Sequence, residues 1–281
     1  MTIASFLEER IKNSRFNQSE LVAQLNLYHT DFFAVDGVTL NRWINGRTIP
    51  SLKRQLLLCE FFKYDRLQFI DLHLESKRPK KMLAQLHAHY YKKETSVFNP
   101  SAGIQANTCL HHDHLIMKQY IQAFRRNVVY QPIHDIMDST LENISVNVVH
   151  NRINNDELHF SFVSNFLVKE NISKITQMLG LKSEDFKSSL SYFPLARLQN
   201  FELASRIYYV VFRDLICNID IHNSTIIKAT INAENFRFFD SMGFDLVSTY
   251  RSGPIMIYYL KMDALDFFSH PLVIDIMQDS E

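Results

Sequence analysis

Val38-Thr39-Leu40-Asn41-Arg42-Trp43-Ile44-Asn45-Gly46-Arg47-Thr48-Ile49-Pro50-Ser51 places a short helix, a glycine stop and a proline-led helix in immediate succession. Gly46 falls where a helix end needs a residue tolerant of positive φ, and Pro50 lies at the entry to the next helix, where a missing N–H costs nothing. Between these marks there is room for only about two helical turns. A helix that short is not stable alone and has to be clamped by its neighbours. Val38, Leu40 and Trp43 read as its inward face. Thr39, Asn41 and Arg42 are left outward, an arrangement that suits insertion into a groove.

The flanking sequence supplies the clamp. Ile3 to Phe16 carries Ile3, Phe6, Leu7 and Ile11 at helical spacing. Asn17 reads as an N-cap with Glu20 completing a capping box, and Leu21, Val22 and Leu25 face inward from the helix that follows. Ser51 to Lys63 and Asp65 to Leu74 give two more helices. Tyr28 to Val35 is an unusual insert whose Phe32 and Phe33 are expected to plug the core, the alternative being a wedge in a minor groove.

Gln18-Ser-Glu-Leu-Val-Ala-Gln-Leu25, then Val38 to Trp43 and Asn45 to Ser51, resemble the helix-turn-helix of the Cro/C1-type (XRE) regulators, over roughly Ile3 to Ile70. The segment Asn26 to Gly37 is several residues longer than the family's usual turn. The resemblance implies a sequence-specific regulator of transcription bound to double-stranded DNA. Thr39, Asn41 and Arg42 would read base edges, and Gln18, Arg47 and Lys53 would position phosphates. One such helix covers a half-site, so a homodimer is expected. The alternative is a small helical domain used for protein contact.

Charge follows the same division. The chain of 281 residues has 30 Lys+Arg against 30 Asp+Glu, but residues 1–93 hold 15 basic and 9 acidic groups and the remainder the reverse imbalance. A basic first part favours phosphate, and the neutral total limits indiscriminate binding. Hydrophobic residues make up 46% and aromatics 12%, enough for two packed domains. We expect a helix-turn-helix domain over 1–75, a helical basic linker over 76–107 and a second domain over 108–281, an α + α/β chain. The apolar run Ile207 to Ile219 is broken by Arg213 and Asp214, so no membrane span is expected and a cytoplasmic location is. Cys59, Cys109 and Cys217 are scattered, without a Cys-x-x-Cys pair. His87, His89, His111, His112 and His114 lack metal-ligand spacing, so no metal site is expected.

Beyond Asn107 the chain changes character. His111 to Phe124 and Pro132 to Leu141 look helical, Ile144 to Val149 and Glu157 to Val168 read as strands, and Asn171 to Leu179 as a helix. Phe201 to Ile216 is a longer helix in which Tyr208 to Phe212 is buried, and Thr225 to Ile231, Glu234 to Met242 and Ile255 to Lys261 form a strand, a helix and a strand. The stretch Ser224-Thr-Ile-Ile-Lys-Ala-Thr-Ile-Asn232-Ala-Glu-Asn235-Phe-Arg-Phe-Phe239-Asp-Ser-Met-Gly243-Phe244 is similar to the late strand–helix–turn of the GNAT acyltransferases. That resemblance implies a mixed α/β fold with Gly243 as helix C-cap and Phe244 dropping into the core. It also implies a glycine-rich loop for the coenzyme A pyrophosphate near Tyr192 to Phe201. No glycine stands there, and none occurs between Gly180 and Gly243. The family's general-acid tyrosine falls at Phe239, which has no proton to give. The expectation is a GNAT-like domain without catalytic residues and without acetyl-CoA as cofactor, serving dimerisation or the sensing of a small-molecule or protein effector. Arg197 and Asn232 are the candidates for an anionic ligand. The alternatives are a DNA-tethered acyl-CoA-dependent N-acyltransferase and a protein-interaction platform. Phe267, Phe268, Leu272, Val273 and Ile276 are candidates for a subunit contact, or for closing the domain's own core.

Overall fold

The computed structural model describes residues 2–14, 16–75, 109–111, 144–150, 164–168, 176–177, 180, 182, 189–193, 201–231 and 233–278. In chain order come helices α1 (Ile3–Asn13), α2 (Gln18–Tyr28), α3 (Gly37–Ile44), α4 (Leu52–Phe61) and α5 (Arg66–Leu72), with a 3-10 turn at Thr30–Phe32. Strands β1 (Cys109–His111), β2 (Ile144–His150), β3 (Ser164–Val168) and β4 (Ser189–Phe193) follow. Helix α6 (Phe201–Asn218), β5 (Ser224–Thr230), α7 (Ala233–Ser241), β6 (Asp245–Ser252), β7 (Ile255–Asp263), α8 (Ala264–Phe268) and α9 (Pro271–Gln278) complete the elements among the described residues. Two compact units divide it, Met1–Leu83 with Phe268–Glu281, and Ala84–Phe267. The fold class is α + α/β: the described part of the first unit is helical, and the second is built on a mixed sheet.

In the first unit each helix begins on a cap written in the sequence. The Asn17 side chain accepts from the Glu20 N–H at 3.0 Å and Glu20 returns the bond to the Asn17 N–H at 2.9 Å, the capping box expected for α2. Helix α1 stops at Asn13 and not at Phe16, with the Ser14 hydroxyl donating to the Ile11 carbonyl. Phe6 centres the core, with ring centroids 5.4 Å from Tyr64, 5.0 Å from Phe69 and 5.0 Å from His73. Burial holds the His73 imidazole below its ordinary pKa. In the insert, Phe32 is buried as expected, whereas Phe33 is 68% exposed, because the tight turn sends adjacent side chains to opposite sides.

Helix α4 ends on a residue that sequence alone does not flag. Lys63 adopts φ 51°, with its N–H bonded to the Glu60 carbonyl at 3.0 Å and the next N–H, of Tyr64, to the Cys59 carbonyl at 3.0 Å. This is the left-handed helix stop that glycine fills without a Cβ penalty. Lys63→Gly is expected to stabilise the first unit by roughly 1 kcal/mol, read as a higher urea midpoint at unchanged m-value.

The chain's last helix belongs to this unit. Leu272, Val273 and Ile276 of α9 are buried, α9 packs on α5, and the Gln278 amide donates to the Ile70 and Leu74 carbonyls at 2.8 and 3.1 Å. Those carbonyls are the orphans of the α5 C-terminus. The apolar residues expected as a possible subunit contact are therefore consumed inside one chain. Phe267 instead meets Phe212 edge-on at 5.1 Å in the second unit. The second compact unit ends there, short of the expected boundary at residue 281.

The second unit carries a seven-stranded sheet of order β1-β2-β3-β4-β5-β7-β6. Only β4 and β5 pair in parallel among these strands, joined through α6; the other neighbours are antiparallel. In α6, Tyr208, Val211, Phe212, Leu215 and Ile216 form one buried stripe at helical spacing. Every residue of β5 is buried, as befits a strand between two others. The strand–helix–turn implied by the GNAT resemblance is present. After α7, Gly243 takes φ +93°, its N–H bonds the Asp240 carbonyl at 2.9 Å and the Phe244 N–H bonds the Phe239 carbonyl at 3.1 Å. The Phe239 and Phe244 rings, 5.6 Å apart, supply the apolar contact of this cap.

Two readings of the second half are corrected. His111 closes strand β1, where its backbone pairs with Val148, and does not open a helix. The stretch expected as a loop from Tyr192 begins inside strand β4. Of the expected Asn171–Leu179 helix only Thr176 and Gln177 are described as helical. The linker 76–107, the helices expected over 112–124 and 132–141, and the beginning of the strand expected over 157–168 lie outside the described residues. No helix among the described residues is long and apolar enough to cross a membrane.

Candidate nucleic-acid interface

Helix α3 is set by its two ends. Asp36 is the N-cap, its carboxylate accepting from the Thr39 N–H at 2.7 Å, and that bond is the main reason the carboxyl lies below its ordinary pKa. At the other end Gly46 has φ +64°, its N–H bonds the Trp43 carbonyl at 3.1 Å and the Arg47 N–H bonds the Arg42 carbonyl at 2.8 Å. The expected glycine stop is thus a paired carbonyl cap, and it turns Arg47 out at the foot of the helix. Leu40 and Trp43 are buried, and the Arg54 guanidinium lies 5.9 Å from the centre of the Trp43 ring.

Val38 is not on the inward face. It is 59% exposed, because with Asp36 as cap the helix starts at Gly37, and at 100° per residue Val38 lies about 160° from Leu40. It therefore shares the outward surface with exposed Asn41, Arg42 and Asn45. The Asn45 amide donates to the Asn41 side-chain oxygen at 2.8 Å and to its carbonyl at 2.9 Å, so the two amides hold each other in place. Sequence reasoning missed both Val38 and Asn45. The helical period is the signal that finds Val38, since two residues before buried Leu40 lies the opposite face of any α-helix, and Asn45 is found by its spacing of four from Asn41.

The remaining candidates are less free than expected. Thr39 is half-buried and its side chain bonds the Asp36 carboxylate, which makes it part of the cap. Lys53 is tied to Asp31 at 3.5 Å, in a cluster where His29 Nδ1 also meets that carboxylate at 3.1 Å and Arg54 Nε donates to the Asp31 carbonyl at 2.9 Å. Gln18, at the exposed start of α2, donates to the Gly37 carbonyl at 3.0 Å and so fixes α2 against the entry of α3. Arg42 and Arg47 are exposed, and together with Asn41 and Val38 they form a polar, cationic surface with one apolar point.

In the second unit, Arg197 and Asn232 lie outside the described residues. Phe239 stands on α7 with its ring centre 5.0 Å from Lys228 Nζ. Cys59 is no nucleophile, since burial pushes its thiol up to about 12 and its Sγ faces the Tyr64 carbonyl at 3.4 Å. Among the described residues no cluster of three His, Cys, Asp or Glu could hold a metal ion.

No family model matches the chain, and no curated protein matches it. Among solved structures, FeeM, an N-acyl amino acid synthase from uncultured soil microbes, is similar over 62% of this chain and 99% of its own, at 10% identity and a TM-score of 0.42.

Proposed function

We propose that the protein is a sequence-specific, cytoplasmic regulator of transcription whose first unit binds double-stranded DNA through α3. The observation that carries this reading is the outward surface of a two-turn helix held rigidly from below. Val38, Asn41 and Arg42 project from one face while Leu40 and Trp43 anchor the other. Asn41 can pair with adenine, Arg42 with guanine, and Val38 can touch a thymine methyl. Arg47 serves a phosphate, and the basic balance of residues 1–93 adds the nonspecific attraction. Gln18 orients α2 as well as touching the backbone. Thr39 and Lys53 contribute through the cap and the Asp31 cluster.

One recognition helix spans a half-site, so the active form is a homodimer, with the second unit providing dimerisation or the sensing of an effector. Acyl transfer is the less favoured reading, because Phe239 has no proton to donate and the segment 194–200 contains no glycine.

Selection of bound duplexes from a random pool by the full-length protein at low salt tests the reading. Enrichment of a two-fold-symmetric sequence is expected. Arg42→Ala is then expected to cost about 1–3 kcal/mol on the selected site and to relax preference at one base pair, whereas Arg47→Ala weakens all duplexes alike and lowers the salt slope by about 1. A pool that emerges without enrichment, with Arg42→Ala binding as the parent does, would overturn it.

A further inference from the structure

We propose that Lys228 is the reactive amine of a ligand site in the second unit, where it captures an aliphatic aldehyde or ketone as a Schiff base beneath helix α7. The inference rests on the sensing role proposed above for its biological meaning and gives that role a ligand class.

Strand β5 runs Ser224-Thr-Ile-Ile-Lys-Ala-Thr230, and strand parity puts Ser224, Ile226, Lys228 and Thr230 on one face. Lys228 is only 4% exposed. Among the described residues no carboxylate pairs with it, and its Nζ lies 5.0 Å from the centre of the Phe239 ring. A lysine placed so deep without a counter-charge weakens the fold, and a strand interior is ordinarily filled by an aliphatic side chain instead. Burial alone pushes its pKa down to about 7. About half of these amines are therefore neutral at pH 7, against roughly one in several thousand for an ordinary lysine. Desolvation of this kind is one way in which a lysine becomes a nucleophile towards carbonyl compounds.

Position and cover add to the chemistry. Lys228 is in register with Phe193, the last residue of β4, at the carboxyl end of the parallel β4–β5 pair. At that end β5 runs on through Thr230 towards α7, so the amine lies within a few residues of the helix that covers it. Helix α7 lies over this face and touches it through Phe236 against Tyr258 and Phe239 against Lys228, yet none of its residues is buried. A cover that buries so little of itself opens at low cost. On the other flank the partner of Lys228 on β7 is Leu260, fully buried. Phe239 from the helix and Leu260 from the neighbouring strand thus give the amine two apolar neighbours of the kind an alkyl chain would meet.

The chemistry is closed in itself. The amine lone pair attacks the carbonyl carbon, a proton passes from nitrogen to oxygen to give a carbinolamine, and departure of water leaves the C=N bond. Hydrolysis reverses each step, with no change of oxidation state.

The test treats the full-length protein with equimolar hexanal and cyanoborohydride at pH 7, followed by peptide mapping. Alkylation of Lys228 at least tenfold above each surface lysine is expected, with a pH midpoint near that of the buried amine. Lys228→Met, which keeps the volume of the site, is expected to lose the mark and leave only the surface background. Uniform labelling of surface lysines with Lys228 untouched would overturn the inference. DNA selection is a separate readout: if Lys228 is untouched while the DNA site is enriched, only the ligand site falls. Marking of Lys228 without DNA enrichment removes the regulatory reading and leaves the amine site standing.

Discussion

Lys228→Met is expected to stabilise the second unit by up to about 5 kcal/mol at pH 6, and by progressively less as the pH rises towards 10. The reason is linkage. Burial pushes the Lys228 amine down to about 7 in the fold, whereas the unfolded chain returns it to its ordinary value. Between these two values the unfolded chain binds the extra proton, so stability rises with pH across that window. Below it both states are protonated, and the whole cost of an unpaired buried ammonium falls on the fold. From pH 6 to pH 9 the parent protein should therefore gain about 3 kcal/mol in its second unit relative to the methionine variant, which carries no charge to titrate. Thermal midpoints of both proteins at the two pH values read this as a double difference, a few degrees for each kcal/mol. Parallel behaviour of the two would mean that a counter-charge meets the ammonium inside the fold, and the proposed free amine would fall with it. A position where methionine improves the fold and the chain nevertheless holds lysine is one where stability has been exchanged for reactivity.

What could be read beforehand was whatever depends on near neighbours in the chain. The Asn17–Glu20 box, the Gly46 stop and the Gly243 cap are each fixed by three or four successive residues, and each stands where the sequence put it. Burial of Trp43 and Leu40 follows from the period of α3, and the same period puts Val38 opposite Leu40, so its apolar character alone is what suggests an inward position. Helix α9 was out of reach for another reason. Its apolar side chains announce burial without naming a partner, and the partner, α5, lies some two hundred residues earlier. Strand β4 is only 5 residues long, and pairing with β3 and β5 defines it more than its own pattern does. Of the proposed DNA contacts, Asn41, Arg42 and Arg47 were legible as exposed polar residues. The engagement of Thr39 with Asp36 and of Lys53 with Asp31 depends on side-chain geometry that spacing does not carry. Lys228 sits in a strand that reads correctly, Ile-Ile-Lys-Ala-Thr. Nothing in that pattern distinguishes a lysine at a sheet surface from one under a helix.

The second large effect lies in the first unit. Gln55→Leu is expected to cost about 3 kcal/mol, although leucine is the more hydrophobic residue and the site is fully buried. The Gln55 amide donates to the Pro50 carbonyl at 2.9 Å and to the Glu75 carbonyl at 2.8 Å, while its oxygen accepts from the Glu75 N–H at 2.8 Å. Glu75 in turn accepts from the Ile3 N–H at 2.8 Å, one of the unpaired donors at the start of α1. One side chain thus ties the turn before α4, the segment after α5 and the first turn of α1. Leucine fills the space but leaves the Pro50 carbonyl and both Glu75 backbone groups without their partner. Each such group costs about 1–3 kcal/mol where water cannot reach it. Glu75 is half-buried, and water can recover part of its share, which sets the expected value below the full sum. Gln68→Leu, on the exposed side of α5, is the control and should shift stability by less than about 0.5 kcal/mol. In urea, the first transition of Gln55→Leu should move to a lower midpoint with the m-value unchanged. Because Pro50 closes the turn that carries Arg47, DNA affinity should fall in the same variant under conditions where it is still folded. A variant that is less stable yet binds the selected duplex at full strength would separate the Pro50 turn from recognition. It would leave α3, held by Asp36 and Gly46, as the whole of the reading surface.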